Sequence, residues 1–113
     1  MTIDELNAYG AKTQEGLKRC MNNEAFYLRL VKMIPGDPNF QKLYDAVAAG
    51  DMTAGFEAAH ALKGSTGNLA LTPILEPIAE LTELLREKKQ ADYTELVEAV
   101  KKGRAELERI CAG

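Results

Sequence analysis

One histidine occurs in the 113 residues. It sits in a stretch with few charges, since between Asp51 and Glu76 only Glu57 and Lys63 carry a formal charge with His60 neutral. His60, Lys63, Gly64 and Gly67 follow one another at i, i+3, i+4 and i+7, so on a helix they share one face. An imidazole with an unprotonated ring nitrogen is a nucleophile, and a lysine one turn along supplies positive charge for an anionic group arriving at that nitrogen. Glycine inside a helix costs about 1 kcal/mol relative to alanine, so two on the histidine's face ask for a reason. The bland reason is close packing of a neighbouring helix. The functional one is space for a partner to reach the ring. This face lies beside the apolar stripe of the same segment, which predicts a histidine turned to solvent.

A single histidine excludes chemistry that needs two, and a His-rich metal site with it. Cys20 and Cys111 stand alone, each without a neighbour at metal-ligand spacing, and no metal site is expected. With a net charge of −3 and a pI near 5.2, the chain lacks the basic face that neutralises nucleic-acid phosphates, and Lys101, Lys102 and Arg104 make too small a basic cluster to supply one. The acidic start carries no apolar signal segment and no run is long enough to span a membrane, so reduced thiols and a cytoplasmic location are expected. At this length the chain is most simply one domain over residues 1–113, able to bury about two thirds of its unfolded surface without a staple.

Nearly all the apolar spacing is helical, with no alternating strand pattern. Start signals recur: Thr2 with Glu5 as a capping box, Thr13 and Asn23 as caps, Asp37-Pro38 as N-cap and N1, Gly50-Asp51 as a stop followed by a start, Thr72-Pro73, and Asp92 with Glu95. The stripes they launch are Tyr27-Val31-Ile34, Phe40-Leu43-Val47, Met52-Phe56-Ala59-Leu62-Thr66-Leu69, Ile74-Ile78-Leu81-Leu85 and Tyr93-Leu96-Val100-Leu107-Ile110. Such stripes face a bundle core, and short connections make neighbours antiparallel. The fold expected is all-α, an antiparallel four-helix bundle with helices near 37–49, 51–69, 73–89 and 92–111, plus short N-terminal helices within 2–34. Pro77 leaves two options open: a distorted first turn after Pro73, or regular helix beginning nearer residue 76.

The string Ala59-His60-Ala61-Leu62-Lys63-Gly64-Ser65, continued by Gly67-Asn68-Leu69-Ala70-Leu71 and an amphipathic helix, resembles the histidine-containing phosphotransfer (HPt) domain family. The resemblance implies a four-helix bundle that carries phosphoryl groups in a two-component phosphorelay. His60 would accept the group from a receiver-domain aspartyl phosphate and pass it to another receiver. It further implies that Lys63 neutralises phosphoryl oxygens and that Gly64, with Gly67, leaves room for the receiver. No cofactor is implied for this chain, because the Mg²⁺ of such transfers belongs to the receiver. Response-regulator receivers are the implied partners, a hybrid histidine kinase among the candidates, and a monomer is expected.

Two positions depart from the family pattern. Many members have glycine where Ala70 stands. Many also use a Gln or Glu on the following helix to orient the histidine, where spacing offers Thr82, with Glu83 beside it. Three other readings compete with this one. A bundle that docks a signalling partner without being phosphorylated has no need of His60 and Lys63. A histidine-kinase dimerisation helix typically continues with an acidic residue and a nearby Thr-Pro, against Ala61 here and no proline before Pro73. An autonomous enzyme lacks a second catalytic group on the face, Glu57 being the only carboxylate close in sequence, and with no Gly-rich phosphate loop no ATP-dependent kinase activity is expected.

Overall fold

The computed structural model describes residues 1–113. The chain runs through seven helices: α1 Ile3–Tyr9, α2 Thr13–Arg19, α3 Glu24–Met33, α4 Asn39–Ala49, α5 Met52–Asn68, α6 Thr72–Arg86 and α7 Thr94–Ala112. Helices α4 to α7 form the antiparallel bundle, each packed on the next in sequence. The bundle closes between its first and last helices, where Arg104 stacks 4.6 Å over the Phe40 ring and Lys101 lies 5.1 Å over Tyr44. The basic cluster seen in the sequence is therefore partly spent on packing, and Arg104 also donates to the Pro35 carbonyl at 2.9 Å.

The caps show which local signals decide the helix ends. Asn23 accepts from the Phe26 amide and Asp51 from the Ala54 amide, each at 3.1 Å. Gly50 ends α4 at φ 73, the left-handed region that only glycine enters freely. Asp37 accepts from the Asn39 amide at 2.8 Å with Pro38 already in helical geometry, so the expected start is displaced by one residue. Asp92 serves α7 in the same way, accepting from the Thr94 amide at 2.9 Å.

Other signals are used differently. Thr2 accepts from Glu5, but the Glu5 carboxylate lies 3.8 Å from the chain's own amino terminus instead of completing the box. Thr13 does not cap α2. It is the first helical residue, buried, and its hydroxyl donates to Asn7 Oδ1 at 2.6 Å, tying α2 to α1. Of the two options at Pro77, the late start is not taken: α6 is continuous from Thr72 through Pro77. It ends at Arg86, three residues before the expected limit, in a turn where Lys88 sits at φ 53.

One core of 21 buried residues joins the bundle to the N-terminal helices, running from Leu6, Tyr27 and Val31 to Leu62, Leu81 and Leu107. Along α5 the buried positions are Gly55, Ala58, Ala59, Leu62 and Thr66. They are mostly small, which brings α4 and α6 close to the α5 axis and fixes the opposite side of that helix as a surface. Met52 and Phe56, expected in the stripe, lie partly buried at its margin, as do Val47, Leu96 and Ile110 on their helices. No helix is long and apolar enough to cross a membrane.

Candidate functional site

Because the inward side of α5 is fixed by burial, the side a half-turn away is forced outward. His60 is exposed there, and Gly64 is exposed one turn on. A Cβ placed on Gly64 would meet nothing within 4 Å, and one on Gly67 would touch only Leu75 Cδ1 at 3.6 Å, an ordinary contact. Neither glycine is demanded by the fold, so close helix packing does not account for them. His60, Lys63, Gly64, Gly67, Asn68 and Arg19 line one open depression of about 440 Å³ that contains no hydrophobic side chain.

Contacts pass from the ring to the lysine by way of α6. The His60 and Phe56 rings are 5.5 Å apart between centroids and tilted by 41°. The Arg86 guanidinium lies 5.3 Å from the centroid of the Phe56 ring, over the ring, and its Nη2 is 3.6 Å from a Glu83 carboxylate oxygen. The same Glu83 oxygen is 3.8 Å from Lys63 Nζ. Glu83 thus faces the lysine rather than the imidazole. It holds Lys63 loosely enough, with both side chains about half exposed, that the ammonium stays available to an incoming anion.

Thr82 does not reach the ring. Its side chain is fully buried and its hydroxyl donates to the Ile78 carbonyl at 2.7 Å, the back-bond a threonine makes inside a helix. Spacing leads to the right turn of α6 but to the wrong side of it: at position 82 the helix faces the core, and at position 83 it faces α5 from outside. The ring instead rests against Phe56, a residue read in the sequence mainly as core. Ala70, which replaces the family's glycine, sits at φ 56 just beyond α5. There the Leu71 amide donates to the Thr66 carbonyl at 2.9 Å, closing the helix end in a left-handed cap. A glycine is favoured at such a position for its freedom, and alanine adopts it at a cost of about 1 kcal/mol.

Arg19 went unnoticed in the sequence. It ends α2, far from His60 along the chain, and no spacing rule links the two. Only the docking of α2 on the end of α5 brings it to the depression, where Nη1 donates to the Gly67 carbonyl at 2.7 Å and reaches toward that of Asn68 at 3.4 Å. No group of three or more His, Cys, Asp or Glu side chains is clustered as a metal site would require.

The all-helical bundle thus presents one exposed histidine beside a cation and an open glycine. The chain belongs to the Hpt domain family, whose model matches residues 36–112, about two thirds of the chain. It is therefore a phosphotransfer carrier of two-component signalling, a kind of domain that works with receivers and kinases. No curated protein and no solved structure matches it. The matched span takes in α4 to α7 and leaves α1 to α3 outside.

Proposed function

We propose that His60 is the phosphoacceptor of a relay between receiver domains, reacting through Nε2. The observation that carries this reading is the exposed ring in an open, polar depression shared with Lys63 and overlooked by unoccupied space at Gly64. In the forward step the imidazole lone pair forms an N–P bond as the P–O bond of a receiver's aspartyl phosphate breaks. The electron pair of that bond leaves on the aspartate, which becomes a carboxylate. The reverse step delivers the group to the aspartate of a second receiver.

Phosphoryl transfer asks a protein mainly for positioning and charge stabilisation. Packing on Phe56 restrains the ring. Lys63 offsets charge on the phosphoryl oxygens, and Gly64 and Gly67 let the receiver backbone approach. The Mg²⁺ that assists such transfers sits in the receiver's acidic pocket, in keeping with a depression whose charged lining here is cationic. The carrier needs no cofactor of its own, acts as a monomer that docks transiently, and works in the cytoplasm where receivers are met.

The test is to incubate the chain with a phosphorylated receiver and Mg²⁺. The reading expects label on the carrier that is lost in acid and kept in base, as a phosphohistidine is, and none on His60→Gln. Folded carrier that no receiver labels would overturn it.

A further inference from the structure

We infer that Arg19 is a docking contact for the receiver, taking a carboxylate on the partner's surface about 10 Å from its phosphorylated aspartate. The inference rests on the relay reading of His60 and adds a residue from outside the span that defines the family.

The position of Arg19 is built rather than incidental. Helix α2 lies so close to the end of α5 that a Cβ on Gly16 would fall 2.7 Å from the Leu69 carbonyl oxygen and collide with the Tyr27 ring. The buried Tyr27 hydroxyl donates to that same carbonyl at 2.9 Å, and the Lys12 amide donates to the Ala70 carbonyl at 2.9 Å. Glycine is thus required one turn before Arg19, and two further bonds hold the same junction. The outcome is a guanidinium fixed at the rim of the depression by the carbonyls that end α5.

Part of Arg19 is explained by that capping. A cation at a helix C-terminus offsets its partial negative charge. The rest is not. Both contacts use Nη1 alone, so the donors of Nη2 and Nε have no acceptor in the chain, and no carboxylate of the chain pairs with Arg19. Lys63, by contrast, already shares Glu83. Arg19 is the uncompensated cation of the depression, with a flat donor edge shaped for a carboxylate.

Distance decides what it can do. Gly67 lies two turns beyond His60, so the guanidinium is about 10 Å farther along the helix axis than the phosphoacceptor. That is too far to touch a phosphoryl group on the ring and comparable to the screening length at physiological salt. Arg19 therefore acts on the partner's approach and not on the transfer step.

The experiment measures transfer from a phosphorylated receiver to the full chain over a range of receiver and salt concentrations. Arg19→Ala is expected to raise KM for the receiver about tenfold and flatten its salt dependence, as loss of a rim charge does, with the saturated rate unchanged. Arg19→Lys should recover part of the loss and Arg19→Glu deepen it. Labelling of His60 by phosphoramidate, a small donor that needs no docking, should proceed equally in all variants. Unchanged KM and salt dependence in folded Arg19→Ala would overturn the inference while leaving His60 as acceptor. So would slowed phosphoramidate labelling in Arg19→Ala and Arg19→Lys alike, which marks a structural cap only. Failure of every receiver to label the wild-type chain would overturn the relay reading itself.

Discussion

The two sides of α5 are made of similar residues and have opposite dependence on the fold. The inward side, Gly55, Ala58, Ala59, Leu62 and Thr66, is buried against α4 and α6. The outward side, His60, Lys63, Gly64 and Gly67, makes one loose ion pair, one ring contact and one hydrogen bond from Arg19 to the Gly67 carbonyl, and its glycines sit under open or easily filled space. Small residues on the first side allow helices to approach, whereas on the second α6 and α2 reach only the margins, through Glu83 and Arg19, and leave the space over Gly64 open. The contrast teaches that glycine and alanine in one helix can serve packing on one side and access on the other, and that only the surroundings tell which.

Substitutions can break or sharpen this division. The largest effect expected is from His60→Gln: complete loss of phosphoryl acceptance, with stability unchanged within about 0.5 kcal/mol in denaturant unfolding. A drop of several times that amount would make the ring structural and erase the distinction between the sides. Leu62→Ala, two residues away on the buried side, should cost about 2–5 kcal/mol by leaving a cavity, a loss read in the same unfolding experiment. Lys63→Ala should slow the saturated transfer rate about tenfold, equivalent to about 1.4 kcal/mol of transition-state stabilisation, with no change in melting temperature. An unaltered rate would remove the lysine from the chemistry.

The glycines provide the finest test. Gly64→Ala should stabilise the protein by about 0.5–1 kcal/mol, since a methyl there meets nothing and helical glycine is entropically costly. Gly64→Gln should keep that stability and raise KM for the receiver by covering the approach to the ring. If Gly64→Ala destabilised the fold, the glycine would be serving packing, and the outward side would not differ from the inward one.

What the sequence made legible follows from the range of each interaction. The four long helices, the short N-terminal ones and the exposed histidine are set by periodicity and by caps such as Asn23 and Asp51, whose partners lie three residues away. Thr13 failed as a cap because α2 already begins at Thr13, with Lys12 in the cap position, and its hydroxyl donates to Asn7 of the neighbouring helix. Thr82 failed as a ring partner because a shift of one residue on a helix turns a side chain by about 100°, from the outside of α6 into the core. Arg19 left no local trace. Its place depends on Gly16 letting α2 settle onto the end of α5, a contact between segments about 50 residues apart.

Ala70 is the residue where sequence comparison and geometry meet. As a family departure it differs by one methyl. In the fold that methyl sits on a backbone at φ 56, so the departure carries strain at the turn that also receives the Lys12 amide and anchors α2. The N-terminal helices and the end of α5 are thereby coupled through residues 69 and 70.

The central claim is that the phosphoryl group resides on His60. Mass-spectrometric mapping of the carrier after transfer from a phosphorylated receiver tests it most directly, run beside folded His60→Gln under the same conditions. The account predicts one added phosphoryl group, located on His60 in the wild-type chain and absent from the variant. Phosphate found at another residue, or retained in full by His60→Gln, would contradict it.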